Sequence, residues 1–172
     1  CGVGWLSAQI ADRFNTAVTS IDFNKVAVDM AQKSANALKI AVDYQVADLF
    51  LYSPEEKFDI CVSLGVLHHT NNCIDAVQRC VEHFTESGGY FYVGLYHLFG
   101  RRPFLSHFEK MSQNGASEGD LLIEYARLSQ VKTDDKHLYS WFRDQVLHPH
   151  ETQHTLKEIT EVCTKSGARL VS

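Results

Sequence analysis

Apolar positions along this chain recur with two periods, and the switches between them divide it into elements. Leu6, Ile10 and Phe14 fall every fourth position, which predicts a helix over residues 5–14. The short β-branched stretch 17–23 predicts a strand, and Asn24 then supplies an N-cap for a helix carrying Ala27, Ala31, Ala35 and Leu38. Residues 41–48 alternate as a strand does. The longer apolar run 58–66 suits a strand buried on both faces, the kind that belongs to parallel sheets. Residues 71–84 predict a helix with Ile74, Val77, Val81 and Phe84 on one face, stopped by Ser87-Gly88-Gly89 ahead of an aromatic strand, 90–96.

Past His97 the alternation of strand and helix breaks. Residues 97–148 read as an α-rich insertion with one clear helical segment at 121–128, and an insertion of that size usually covers a site. Thr155-Leu156-Lys157-Glu158 has the form of a capping box, so a helix is expected from Thr155 through Leu156, Ile159 and Val162 to Lys165. Gly167 stops it before a β-like 168–172. The elements assemble into an α/β fold, a Rossmann-like doubly wound sheet, mostly parallel, with the insertion after the aromatic strand. A single domain is expected over 1–172, with a core at 1–96, an inserted lid or substrate region at 97–148 and a return to the core at 149–172. Because the chain opens inside a motif and without Met, the first strand of such a sheet is expected ahead of Cys1 and its last beyond Ser172.

Composition narrows the chemistry. With 45% hydrophobic and 22% charged residues the chain is of ordinary globular type. A formal net charge of −5, with Arg101-Arg102 its basic doublet, argues against nucleic acid as partner. Five cysteines without a Cys-x-x-Cys pair suggest a reducing, cytoplasmic setting, and no apolar run reaches membrane-spanning length. The oligomeric state is left open.

Four features fall at the carboxyl ends of successive expected strands: Gly2 and Gly4, Asp22, Asp48, and Ser63-Leu64-Gly65. Ligands of open α/β sheets bind in that crevice. A glycine pair at a strand-to-helix turn lets backbone approach a ligand, and an acid at the tip of the next strand can accept both hydroxyls of a ribose. The ordered pieces Cys1-Gly2-Val3-Gly4, 20–24, 46–50, 58–70 and 87–96 resemble class I S-adenosylmethionine-dependent methyltransferases, the small-molecule group that includes quinone-biosynthesis enzymes, here truncated at both ends.

The resemblance covers about the first 96 residues. It implies transfer of a methyl group from the cofactor S-adenosyl-L-methionine to a small organic acceptor. Gly2 and Gly4 would lie under the methionine part and ribose, Asp22 would take the ribose hydroxyls, and Phe23 beside it would belong to the cofactor site. Asp48 and Leu49 would hold the adenine, and Ser63, Leu64 and Gly65 would line the sulfonium pocket. His68 and His69 stand where an acceptor would meet the methyl group. A histidine there suits removal of a proton from oxygen, nitrogen or activated carbon. His69 is the candidate base, whereas His68 is expected to hydrogen-bond backbone at the start of the next helix. Tyr96, Arg101, Tyr139, Trp141, Arg143 and His148 could shape the acceptor pocket, and the aromatics of 104–108 are expected to pack the lid.

Three rival readings share these residues. A nicotinamide site also needs glycines and an acid about 20 residues on, but the dinucleotide fingerprint wants Gly or Ala where Ser7 stands. His150-Glu151-Thr152-Gln153-His154 is a literal H-E-x-x-H zinc signature. Pro149 and the capping box at Thr155 place it before the helix, so no metal site is expected. A non-catalytic module that retains the fold is the third.

Overall fold

A computed structural model describes residues 1–130 and 133–171. The chain divides into two compact units, Cys1–Glu56 and Lys57–Ser172.

In the first unit helix α1, Trp5–Phe14, starts directly from the glycine turn, with Gly4 as its left-handed N-cap. Its buried face is made by Ser7 and Ala11, while Phe14, the expected end of the stripe, is 68% exposed. Small residues win that face because the neighbours come close: the Ser7 and Ser20 hydroxyls meet at 2.6 Å and the Tyr44 hydroxyl donates to the Gly4 carbonyl at 3.0 Å. Strand β1, Thr19–Asp22, runs parallel to β2, Asp43–Val46, with Asp22 opposite Val46. Between them α2, Lys25–Leu38, is capped by the Asn24 side chain, which accepts from the Val26 and Ala27 amides. It buries Val28, Ala31 and Ala35, whereas Leu38 is 67% exposed and lies off the face expected for it.

The second unit is built on β3, Phe58–Leu64, parallel to β4, Thr85–Gly94. The strand β4 begins earlier than the sequence pattern implies. Ser87-Gly88-Gly89 lies inside it as an irregularity, because Phe58 pairs with Thr85 but Ile60 with Tyr90. The helix between the strands, α3, Cys73–Arg79, widens into a π-helical turn at Cys80–Phe84, where the Thr85 amide reaches back to the Cys80 carbonyl. One face of the strand pair, with Ile60, Val62, Leu64, Tyr90 and Tyr92, is exposed, so burial on both faces of β3 does not hold.

Among the described residues the insertion holds three helices, two beyond the segment legible in the sequence: α4, Leu98–Gln113, α5, Glu118–Ser129, and α6, Asp135–Gln145. They have their own core of Phe108, Leu121, Tyr125 and Phe142, with Phe104, Met111 and Leu138 packed against it. The aromatics Phe104 and Phe108 are therefore packing residues, as expected. Helix α7, Leu156–Lys165, carries the capping box at Thr155 and Glu158 and packs on α3. Residues 168–171 form no strand, and Ser172, the end of that expected element, lies outside the described residues. No described helix is long and apolar enough to cross a membrane.

Candidate functional site

The glycine turn is closed by a hydrogen bond from the Gly4 amide to the Cys1 carbonyl at 3.1 Å, and both glycines have positive φ, 54° at Gly2 and 78° at Gly4. Their surroundings differ. A Cβ on Gly4 would sit 2.5 Å from the Tyr44 hydroxyl and 2.6 Å from the Ala31 Cβ, whereas one on Gly2 would meet nothing within 4 Å. Gly4 is thus fixed by packing against α2 and β2, and Gly2 faces open space, as a cradle requires.

Asp22 ties this turn to β1. Its Oδ2 accepts from the Cys1 nitrogen and the Gly2 amide, each at 2.7 Å, and its Oδ1 from the Asn24 amide at 2.9 Å. Burial works to raise its pKa, but the hydrogen bonds from the Cys1 nitrogen, Asn24 and Gly2 outweigh it and hold the carboxyl below its ordinary value. A carboxylate has about four lone-pair sites, so one remains for a ligand hydroxyl. Parallel pairing brings the end of β2 to the same side, and the Ala47 amide donates to the Asp22 carbonyl at 3.0 Å. Asp48 follows, its Oδ1 accepting from the Phe50 amide at 2.8 Å in a tight turn. Phe23 and Leu51, each 82% exposed, leave apolar surface next to the two acids in sequence. Open glycine, carboxylates and unpacked apolar groups fit a nucleoside. Leu49 is half-buried beside Asp48.

In the second unit Gly65, φ 70°, ends β3 with open space on its Cβ side, and its amide donates to the Gly94 carbonyl at 3.1 Å. Ser63 is half-buried and Leu64 exposed. A 3-10 turn at Leu67–His69 follows. Here the backbone hydrogen bond expected of the His68 side chain is made by His69 instead. The His68 side chain, 1% exposed, has no partner for either ring nitrogen among the described residues and lies on the Tyr96 ring at 4.0 Å between centroids. It makes no backbone hydrogen bond, because the ring is turned into the interior against Tyr96, where no backbone polar group meets either nitrogen. Burial above all, then the neighbouring His69, pushes its pKa down to about 4. It is His69 that bonds backbone, from Nδ1 to the His150 carbonyl at 2.9 Å. A carbonyl only accepts, so Nδ1 carries a proton, and in the neutral ring Nε2 keeps its lone pair.

The H-E-x-x-H segment is extended rather than helical and is stitched to this turn. His150 Nε2 donates to the Thr70 carbonyl at 2.9 Å, the Thr152 amide to the His68 carbonyl at 2.8 Å, and the His154 amide to the Tyr96 carbonyl at 3.0 Å. Glu151 forms a buried two-point pair with Arg101, at 2.9 Å from Nε and 2.7 Å from Nη2. Arg101 also donates to the Gln145 carbonyl at 2.6 Å and lies 4.3 Å over the Tyr96 ring. Among the described residues no three His, Cys, Asp or Glu side chains are grouped to hold a metal ion.

Of the expected acceptor residues, Tyr96, Arg101 and His148 come together with His68 and His69, although Arg101 spends its guanidinium on Glu151 and Gln145. His148 stacks on His69 at 3.8 Å. Tyr139 and Arg143 line, with His148, an open depression of about 470 Å³ along α6. The Tyr139 hydroxyl donates to Glu118 at 2.8 Å. Trp141 is exposed and not part of that lining. Gln145, His150 and Glu151 are the partners that sequence reasoning did not place, since nothing local pairs Arg101 with a residue fifty positions on.

A family model described as a methyltransferase domain matches residues 1–89. A ubiquinone biosynthesis O-methyltransferase from Pelagibacter ubique is 31% identical over 72 residues, covering 42% of this chain and 30% of that protein. Among solved structures, PKMT2 from Rickettsia typhi matches with a TM-score of 0.77 at 17% identity, over 96% of this chain and 36% of that one. The plantazolicin methyltransferase BpumL in complex with SAH matches at 0.57 and 19% identity, over 96% and 52%. The chain therefore spans about a third of the curated relative it matches, and the likeness to solved structures shows a shared Rossmann-like α/β fold.

Proposed function

The chain belongs to the methyltransferase-domain family, and from that premise we propose that it transfers a methyl group from S-adenosyl-L-methionine to a heteroatom of a small organic acceptor. The observation that carries the reading is the Asp22 carboxylate, drawn to 2.7 Å of the Gly2 amide beside an open positive-φ glycine. That leaves an acceptor for one ribose hydroxyl next to backbone that a ligand can approach closely. Gly2, Gly4, Asp22, Phe23, Asp48 and Leu49 are the proposed cofactor residues of the first unit. Ser63, Leu64 and Gly65, at the carboxyl end of β3, are those of the second.

When bound, the cofactor supplies a methyl carbon already activated by positive sulfur, so the protein's contribution is alignment, exclusion of water and removal of a proton where the nucleophile carries one. His69 is suited to that last task. Its Nδ1–H is committed to the His150 carbonyl, and Nε2 is free to take a proton from a hydroxyl. Tyr96 and His148 give it aromatic neighbours. The name of the Pelagibacter relative supports an oxygen acceptor.

Calorimetric titration with S-adenosylhomocysteine tests the reading. Binding is expected, weakened more than about tenfold by Asp22→Ala through loss of a charged hydrogen bond. Equal affinity in the variant overturns the ribose assignment.

A further inference from the structure

One residue's main chain touches both His69 and His148. The His150 carbonyl accepts from His69 Nδ1 at 2.9 Å, and the His150 amide donates to His148 Nδ1 at 3.2 Å. A carbonyl cannot donate and an amide cannot accept, so in their neutral forms the two imidazoles are held as opposite tautomers. His69 has its proton on Nδ1 and a lone pair on Nε2. His148 has the lone pair on Nδ1 and a proton on Nε2. The rings stack at 3.8 Å with 31° between their planes, and neither Nε2 is a buried orphan or has a partner among the described residues.

We propose that His150 acts as a tautomer lock, and that the His69–His148 pair is a two-point recognition site: His69 Nε2 accepts a hydrogen bond from the acceptor and His148 Nε2 donates one to it. The ligand class that satisfies both carries a hydroxyl beside a second lone-pair atom, such as an ether, carbonyl or further hydroxyl oxygen. This rests on the proposed methyltransferase reading, in which the hydroxyl on His69 is the nucleophile. His148 then selects the substrate and His150 is a positioning residue. The segment that carries both is fixed in turn by the buried Arg101–Glu151 pair and by the His150 Nε2 bond to the Thr70 carbonyl.

Long-range nitrogen NMR on histidine-labelled protein reads the tautomers directly, with His69→Gln and His148→Gln variants assigning the signals. The expected spectrum at neutral pH has His69 as the Nδ1–H form and His148 as the Nε2–H form. Averaged signals, or both rings in one form, overturn the lock. The probes are 2-methoxyphenol, which has a hydroxyl beside an ether oxygen, and phenol and methoxybenzene, which each lack one of the two. 2-Methoxyphenol is expected to perturb both Nε2 signals and to bind about tenfold more tightly than either control, the effect of one good hydrogen bond. His148→Phe, which keeps the stack and removes the donor, is expected to erase that preference. Equal response to the three probes, or none, overturns the recognition. S-adenosylhomocysteine affinity measured on the same samples reports on the methyltransferase reading separately: its absence with locked tautomers sinks that reading and leaves the lock standing.

Discussion

Gly2 and Gly4 look alike in sequence and differ in what they tolerate. Gly4→Ala meets both a left-handed φ of 78° and the Tyr44 hydroxyl at 2.5 Å, and is expected to destabilise the protein by about 2 to 4 kcal/mol. Gly2→Ala has only its φ of 54° against it and should cost about 1 kcal/mol. Urea unfolding of the two variants separates them, and equal losses would mean that the contact with Tyr44 is not made. At His69, replacement by Gln should lower turnover roughly a hundredfold or more, the usual contribution of a general base, without changing S-adenosylhomocysteine affinity. Wild-type turnover would retire His69 as the base. Asp22 is legible from its place after a β-branched run. That His69 rather than His68 bonds backbone is not, because which ring turns inward depends on Tyr96 and on a segment some eighty residues away.

Helices with a clean cap or stripe are legible in the sequence. Those bounded by Gly4, by Asn24 and by the Thr155 capping box start where the pattern places them. The helix α4 is hidden because Gly100 and Pro103 punctuate its first turns, and it is held instead by tertiary packing of Phe104 and Phe108. The same kind of long-range dependence joins α4 to the segment before α7. The Arg101 and Glu151 side chains are 8% and 7% exposed, so Glu151→Ala leaves a buried cation without its partner and should cost about 3 to 5 kcal/mol. Replacing both by Met should restore most of that stability, since neither charge is then stranded. Thermal melts of the single and double variants give the comparison, and a double variant as unstable as the single would show that the pair matters for more than its charge.

For the molecule as a whole, His68 sets a dependence on acidity. Burial first, then His69 and Arg101, outweigh Glu151 and Asp144 and bring it from 6.5 to about 4. The folded chain keeps the ring neutral where the unfolded chain takes a proton. Stability is therefore full above 6.5 and falls as the pH drops toward 4, by about 3 kcal/mol from this group. Asp22 and Glu151, held below their ordinary ranges, add their losses at still lower pH. Denaturant titrations at pH 7 and 4.5 should show the fall in the wild type and a flatter dependence in His68→Phe. Matching slopes would mean that the ring is not buried neutral.

The three-helix excursion also leaves and rejoins the second unit at one place: the Leu98 amide donates to the His154 carbonyl at 3.0 Å, and His97 and His154 form a parallel bridge. A segment whose ends meet, and which carries its own core, can be lengthened, shortened or replaced at little cost in loop-closure entropy. Such a segment is an exchangeable cassette, open to replacement while the glycine turn and its aspartate stay as they are, and grafting it between relatives is the laboratory form of the same step.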